Sequence, residues 1–371
     1  MSDRVALTPV RIAGLELPNR VAVAPMSRVS TSGDGVPTAR MAQYYARYAH
    51  GGFGLVITEG TYTDQRYSQA YPNQPAIVSA AQIEGWRRVV RAVHEARGRI
   101  VLQLMHAGAL SQHNRHRTDT IAPSAVPPAG TKMSAYGGEG PYRTPRAATR
   151  SELAEAVEGF ARSAAAARVA GFDGVEVHGA NGYLVDQFLT TYTNVRDDEY
   201  GGDPHRRVRF ATEVVGAVRE AVGADFPVGI RLSQSKVNDV GYRWPGGARE
   251  AEVIFRAVAE AGVDYLHLAS EGQDWADSAT LDDGSTVTRL ARKTTGLPVI
   301  ANGGMHALGR ARSILAGGEA DLVALGRGAL ANPDWPLRLA AGRDPRPFEP
   351  EILRPDVTLA SQDAWEAAPR P

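Results

Sequence analysis

The sequence predicts an α/β fold, a single (β/α)8 barrel of the TIM type. Eight short runs rich in Val, Ile and Leu recur along the chain, separated by amphipathic stretches. Such runs are typical of parallel strands buried on both faces, and their alternation with helices predicts a parallel sheet. Because composition does not shift between the two halves of the chain, one barrel fits better than two smaller domains. The predicted strands cover residues 20–26, 55–60, 99–106, 174–179, 227–233, 265–270, 298–304 and 321–328.

The clearest helical pattern covers residues 151–170. Ser151 is the predicted N-cap of this helix, and apolar residues follow it at helical spacing. The other predicted helices cover residues 80–97, 205–222, 247–261 and 306–316.

Three segments lie outside this alternation. Residues 8–19 alternate weakly around Gly14 and predict an N-terminal hairpin that closes the bottom of the barrel. The insert between the third and fourth strands, residues 107–150, is rich in Pro and Gly. A connection of that length is usually functional, and it follows the carboxyl end of a barrel strand, so it predicts a lid over the active face. The predicted barrel domain is 1–345, followed by an irregular tail at 346–371.

Composition limits the function classes. The 371 residues include 41 Lys and Arg against 41 Asp and Glu, and this balance argues against a nucleic-acid or membrane-surface protein. The absence of cysteine excludes disulfides, thiolate metal sites and a cysteine nucleophile. No apolar run has the length of a signal peptide or a membrane span, so we expect a soluble cytoplasmic protein.

The seventh and eighth predicted strands both end in glycine-rich sequences, "ANGG" and "LGRG". Glycines let backbone amides approach an anion closely, and an arginine adds a bidentate positive charge. Ordinary turns are the alternative. Because this fold commonly binds phosphate after these two strands, the coincidence favours a phosphate site.

The other strand ends carry hydrogen-bonding groups that suit a flat heteroaromatic ligand and a carbonyl oxygen. No lysine ends a predicted strand, which argues against a Schiff-base aldolase. No histidines and carboxylates have metal-ligand spacing, so no metal is expected. The residues concerned are Ser27, Gln103, His178, Asn181, Tyr183 and Arg231.

The segment "HGANGYLVDQFL", residues 178–189, followed by "NVRDDEYGG" at 194–202, resembles the signature of the Old Yellow Enzyme family of ene-reductases. The resemblance covers nearly the whole chain. It includes "PNRVAVAPMSR", "ITEGT", "QLMHAG", "VGIRLS" and "ALGRGALANPDWP". It implies a barrel that holds FMN non-covalently, takes hydride from NAD(P)H and reduces the activated C=C bond of an α,β-unsaturated carbonyl compound.

The resemblance implies that His178 and Asn181 donate hydrogen bonds to the activating oxygen of the substrate and that Tyr183 is the acid. Hydride addition builds enolate charge on that oxygen, so two fixed donors stabilise the transition state more than the substrate. A phenol of pKa about 10 stays protonated at neutral pH and can give its proton to carbon. The alternative is structural: His178 ends the strand, Asn181 makes a turn and Tyr183 packs.

The flavin and substrate contacts follow from the same resemblance. Arg231 is implied beside the pyrimidine edge of the flavin, where the reduced ring is negative, and Gln103 is implied to pair with the pyrimidine amide. Tyr71 and Trp275 are the predicted substrate-facing aromatic residues, and Tyr136 in the lid is a further one. The implied FMN contacts are Ala24, Pro25, Met26, Ser27, Gly60, Gln103, Arg231, Asn302, Gly303, Gly304, Gly326 and Arg327.

Other functions remain open at this point. The same flavin site could desaturate or isomerise its substrate. A flavin-free sugar-phosphate enzyme is less favoured because no carboxylate or lysine base is evident at a strand end, and the donor set disfavours a non-catalytic phosphate-binding barrel. The expected partners are a small-molecule enone and NAD(P)H, with no nucleic acid and no membrane. Monomer and homo-oligomer both remain possible, as do NADH and NADPH.

Overall fold

Eight parallel strands form a closed barrel, and the predicted fold is confirmed. A computed structural model describes residues 2–270 and 275–368. Each barrel strand pairs in parallel with the next one along the chain, and the last pairs with the first. The barrel strands are β3 (Val21–Val23), β4 (Leu55–Ile57), β6 (Ile100–Met105), β9 (Gly174–Asn181), β10 (Val228–Lys236), β11 (Tyr265–Ala269), β12 (Val299–Asn302) and β13 (Leu322–Leu325). The accessory strands are β1 (Val10–Ile12), β2 (Leu15–Leu17), β5 (Thr61–Tyr62), β7 (Ile121–Ala122) and β8 (Arg146–Ala147).

The barrel interior is apolar at the bottom. Tyr265 lies across it, and Gly229 on the neighbouring strand leaves room for the tyrosine ring, because a Cβ at Gly229 would overlap that ring. The antiparallel hairpin of β1 and β2 adds Ile12 and Leu17 to the same apolar cluster. The predicted hairpin therefore closes the bottom of the barrel, and function is left to the opposite end.

Helices cover the outside of the barrel. They are α1 (Ala39–His50), α2 (Ala80–Glu95), α3 (Arg150–Ala170), α4 (Leu184–Leu189), α5 (Pro204–Arg207), α6 (Arg209–Val222), α7 (Gly247–Glu260), α8 (Trp275–Ala279), α9 (Val287–Thr295), α10 (Leu308–Ala316), α11 (Arg327–Ala331), α12 (Trp335–Ala340) and α13 (Leu359–Ala367). In the described part of the chain, every helix is too short or too polar to traverse a bilayer.

One predicted helix start is wrong. The N-cap of α3 is Thr149, not Ser151. The Thr149 side chain accepts from the Glu152 amide, and the Glu152 carboxylate accepts from the Thr149 amide. This reciprocal pair satisfies two amides at the helix start, so the N-cap lies two residues before the predicted one and the helix begins at Arg150.

The insert packs over the carboxyl end of the barrel. It contains short 3₁₀ turns at Gly108–Leu110 and Ser134–Tyr136 and the strand pair β7–β8. Its Leu110 and Tyr142 lie in one apolar cluster with Tyr71 and Tyr183. Its function as a lid stays a prediction.

The prediction that the tail is irregular is wrong for two segments. Residues Pro350–Leu353 form a 3₁₀ helix, and Leu359–Ala367 form α13. Thr358 caps α13 by accepting from the Ser361 amide. The buried Arg28 anchors this segment by donating to the carbonyl oxygen of Val357 at 2.8 Å and to Oε1 of Gln362 at 2.6 Å. Residues 369–371 of the predicted tail lie outside the described residues.

Candidate active site

Three of the predicted site residues meet where β9 ends. His178 lies on β9, and Asn181 is its last residue. Asn181 has φ of +64° and Gly182 has φ of +88°, so the chain turns sharply before α4 begins. The turn brings the Tyr183 ring to 5.0 Å from the His178 ring, centroid to centroid. Asn and Gly are the residues that adopt this left-handed backbone most readily, which explains why they stand here.

His178 is a neutral imidazole. Burial, with the nearby charges of Arg231 and His267, holds its pKa well below the usual 6.5. Among the residues that the structure describes, its buried Nδ1 has no hydrogen-bond partner. A buried polar atom without a partner is costly, so this atom indicates a position where a ligand completes the site.

We expect the affinity for an uncharged carbonyl ligand to stay constant from about pH 6 to 8, because His178 does not change charge there. Its depressed pKa places protonation below this range. Titrations with a neutral ketone at several pH values measure the affinity. An inflection near pH 6.5 that disappears in His178→Asn would contradict a neutral histidine.

Tyr183 is held by a second tyrosine. Its hydroxyl hydrogen-bonds to that of Tyr71, which is fully buried. Burial and the neighbouring Tyr183 raise the pKa of Tyr71 well above 10, so Tyr71 stays protonated. The Tyr136 ring from the insert stacks on Tyr71, with centroids 4.1 Å apart. The predicted aromatic residues Tyr71 and Tyr136 thus fix the position of the Tyr183 hydroxyl.

Arg231 lies beside His178 in the strand register of β9 and β10. It donates from Nη2 to Oδ1 of Asn302 at 2.9 Å, and Nδ2 of Asn302 donates to the Ala324 carbonyl oxygen at 2.9 Å. Because both ends of the Asn302 amide are engaged, its side chain orients Arg231.

A buried carboxylate lies under the predicted flavin contacts. Gln103 donates from Nε2 to Oε1 of Glu176 at 2.8 Å, and Nδ1 of His267 lies 2.9 Å from Oε2 of Glu176. Burial raises the pKa of Glu176, but the attraction of His267 and Arg231 outweighs it and lowers the pKa. A carboxylate can only accept hydrogen bonds, so the side-chain nitrogen of Gln103 must face Glu176. The side-chain oxygen of Gln103 is then left to bind a ligand.

Sequence reasoning missed Glu176 and His267. The signal was present, because Glu176 stands two residues before His178 on a strand and therefore shares its face.

The glycine loops after β12 and β13 form a positive site. Gly303 has φ of +141° and Gly304 has φ of +62°, and the guanidinium of Arg310 occupies the space that a Cβ at Gly304 would need. Burial lowers the pKa of the adjacent His306, and the charges of Arg327 and Arg310 lower it further. This combination of open backbone and positive charge fits a phosphate. Arg310 was not predicted, because nothing in the sequence separates it from other helix-surface arginines.

The ends of the first and eighth barrel strands adjoin. A Cβ at Gly326 would lie 3.7 Å from Sδ of Met26. The Ala24 amide donates to the carbonyl oxygen of Leu325 at 2.9 Å. The half-buried residues after β3 are Pro25, Met26 and Ser27.

Gly60 has a packing reason of its own. A Cβ there would overlap Sδ of Met105, so any larger residue would displace the Met105 side chain whether or not a ligand contacts this backbone.

The structure does not bring Trp275 to the Tyr71–Tyr183 cluster. Trp275 is buried in the main core, and its Cε3 would lie 3.0 Å from a Cβ at Gly303. Its indole therefore packs behind the glycine loop after β12. A large indole at the start of a short helix is as well suited to core packing as to a substrate contact, and here it packs. The predicted substrate contact of Trp275 gains no support from this position.

The sequence model of the NADH:flavin oxidoreductase / NADH oxidase family matches residues 7–345. The chain belongs to this family. It is an oxidoreductase, and the family uses FMN and NAD(P)H.

Individual members of the NADH:flavin oxidoreductase family agree with this. The chain is 33% identical over 340 residues to "NADH oxidase" of Thermoanaerobacter brockii, covering 90% of this chain but only 50% of that relative. It is 35% identical over 351 residues to "Probable flavin mononucleotide-dependent alkene reductase" of Leishmania infantum, covering 91% of each. The solved old yellow enzyme homologue from Zymomonas mobilis is 30% identical with a TM-score of 0.86, covering 96% of this chain and 98% of that one. The resemblance to the Old Yellow Enzyme family is confirmed.

The residues present fit the cofactor of this family. The glycine loops with Arg310 and Arg327 suit a phosphate, and Arg231 suits the electron-rich edge of a reduced flavin. The described residues contain no group of three His, Asp or Glu arranged for a metal ion.

Proposed function

We propose that this protein binds FMN non-covalently, takes hydride from NAD(P)H and reduces the C=C bond of α,β-unsaturated carbonyl compounds. One observation carries the proposal: the neutral, partly unsatisfied His178 lies with Asn181 and Tyr183 at the end of the barrel that also holds the buried cation Arg231. The alkene reductase named among the relatives supports the substrate class.

The proposed FMN contacts come from the ends of five barrel strands, β3, β6, β10, β12 and β13. Bound FMN supplies a group that accepts hydride from NAD(P)H and passes it to an activated alkene. Gln103, oriented by Glu176, would face the pyrimidine amide, and Arg231 would face the adjacent negative edge. The loops at 303–304 and 326–327 would hold the phosphate, and residues 24–27 would contact the ring through backbone. Trp275, which was predicted to face the substrate, is not proposed as a substrate contact.

His178 and Asn181 act on the carbonyl oxygen of the substrate. Both donors are positioned before the reaction and are buried, so they stabilise the charge that develops on oxygen without solvent reorganisation. A neutral imidazole donates one hydrogen bond without giving up its proton, and this suits an oxygen that must become an enolate.

Tyr183 supplies the proton to carbon. Its hydroxyl is kept in place by that of Tyr71, whose raised pKa keeps Tyr71 protonated. The side chain that carries the proton is therefore directed by the protein, and protonation occurs from one side of the substrate.

We expect the purified protein to be yellow and to release FMN, not FAD, on denaturation. The positive glycine loops after β12 and β13 end the site at one phosphate, and no GxGxxG sequence follows a strand to hold an adenylate. Chromatography of the released flavin decides between the two. Release of FAD contradicts the phosphate assignment, and a colourless protein that gains no absorbance with added FMN contradicts every flavin function.

The reaction is tested by mixing anaerobically NAD(P)H-reduced protein with a cyclic enone. We expect the flavin absorbance to return and the saturated ketone to form in equal amount. The saturated ketone itself is the control and should leave the flavin reduced. Failure of the enone to reoxidise the flavin, or enone formation from the saturated ketone by the oxidised protein, would favour desaturation instead.

A further inference from the structure

A buried ion pair lies directly behind the proposed catalytic turn. Nζ of Lys236 is 2.6 Å from Oδ1 of Asp186, and the two side chains are 1% and 0% exposed. Burial raises the pKa of Asp186 and lowers that of Lys236, although each partner opposes the shift of the other. Removing two charges from water costs about as much as their attraction returns, so stability alone is a weak reason for such a pair.

The pair is bonded to the turn itself. Oδ2 of Asp186 accepts from the Gly182 amide at 2.7 Å. Nζ of Lys236 also donates to the carbonyl oxygen of Ser233 at 3.2 Å. The Ser233 hydroxyl in turn accepts from the Asn181 amide at 2.9 Å. Amides of the turn are therefore held from the end of β10 and from α4.

The turn needs such support because the backbone of Asn181 is strained. Asn181 is at positive φ, which Asn tolerates better than most residues but which still costs free energy, whereas Gly182 adopts positive φ at no steric cost. Residues in this region persist only where surrounding contacts impose them. The side chains of Asn181 and Tyr183 point into the site only while this conformation is kept.

An irregularity of β10 places Lys236 where it can act. Leu232 pairs with Gly179 and Lys236 pairs with Asn181, so β10 advances by four residues while β9 advances by two. The extra residues re-aim the end of the strand, as bulges next to active sites commonly do. They bring the Lys236 backbone alongside Asn181.

We propose that Lys236 and Asp186 are positioning residues, whose ion pair locks the 181–182 turn and so aligns Asn181 and Tyr183 with the substrate. This inference rests on the proposed function, since it concerns the donors and acid assigned there. Misplacement of a reacting group by about 1 Å can cost on the order of 10²-fold in rate, so a modest loosening of the turn should be measurable.

The test compares Lys236→Met with the double variant Asp186→Asn/Lys236→Met. The single variant leaves a buried carboxylate without its cation and can fail to fold, whereas the double variant removes both charges at nearly constant shape. In the double variant we expect FMN content and Tm close to those of the wild type. Its reoxidation by enone should slow by about 10–10²-fold, and the Gly182 amide should exchange hydrogen faster. The exposed pair Glu158–Arg162 on α3, replaced as Glu158→Gln/Arg162→Met, is the control and should change none of these.

Two outcomes contradict the proposal. One is a double variant with wild-type reoxidation and wild-type Gly182 exchange. The other is a lower Tm with an unchanged rate per bound FMN, which would make the pair purely stabilising. If no variant folds, fast exchange of Gly182 in the wild-type protein, compared with Val177 in the barrel wall, overturns it without any substitution. A wild-type protein that reduces no enone would refute the proposed function, while the exchange measurement still tests the turn.

Discussion

Tyr183→Phe is expected to slow reoxidation of the reduced protein by an enone by about 10²–10⁴-fold, the usual contribution of a positioned acid. Reduction of the flavin by NAD(P)H should remain nearly unchanged, because that half-reaction requires no proton for a substrate carbon. The ring of Phe keeps the packing against His178, so the change is confined to the hydroxyl. Stopped-flow measurement of the two half-reactions separates the effects.

Tyr71→Phe is the matched control for this experiment. It removes the hydrogen bond to Tyr183 but leaves the acid in place, so we expect a smaller loss, about tenfold or less. If Tyr183→Phe turns over a simple enone at the wild-type rate, Tyr183 is not the obligatory acid. If both variants lose activity equally, the two hydroxyls act as one unit and neither can be assigned the proton alone.

Removal of the side-chain amide of Asn181 should slow enone reduction by about 10²–10³-fold, as loss of one donor to a developing oxyanion does. The backbone at this position allows a sharper design than a single alanine variant. Because φ of Asn181 is +64°, Asn181→Gly removes the amide without strain, whereas Asn181→Ala removes it and adds about 1–2 kcal/mol of backbone strain. The glycine variant should therefore keep its Tm, and the alanine variant should melt several degrees lower.

The comparison of the two Asn181 variants separates the donor from the turn. Equal rates in both variants, with different Tm, would assign the loss to the amide. A glycine variant with near wild-type rate beside an inactive alanine variant would contradict the donor function and leave only a backbone function for Asn181. Affinity for a neutral ketone, measured on the oxidised protein, provides the same distinction without turnover.

The barrel was predictable because most of its strands are buried on both faces. Such strands appear in the sequence as apolar runs, which can be recognised without knowing the tertiary contacts. Strand β9 departs from this pattern, since Val175 and Val177 pack outward in the main core while Glu176 and His178 face the barrel interior. The glycines at 303 and 304 were predictable for a similar reason, because their backbone angles exclude other residues locally.

What was not predicted depends on contacts between distant residues. Helix α1 carries three buried tyrosines that pack against Phe53, Trp86 and Arg28. No local sequence pattern predicts these contacts. Trp275 was expected at the substrate because an indole suits both a ligand and a core. The pairing of Lys236 with Asp186 joins residues 50 positions apart through an irregularity in β10, which no periodicity reveals.

The contacts of Arg28 also bear on the order in which parts of the protein fold during synthesis. Its partner Gln362 lies 334 positions later, and Val357 from the same segment shares an apolar cluster with Tyr71 and Tyr183. At about 5–20 residues per second of synthesis, these partners leave the ribosome on the order of tens of seconds after Arg28. The residues proposed to bind FMN are made before this segment. The barrel stays open until Leu325 pairs with Val23, and Arg28 lacks its partners until residues 357–362 are made. We expect FMN to bind only after residues 322–327 have been made, because the barrel and the proposed phosphate loop at 326–327 are incomplete before then.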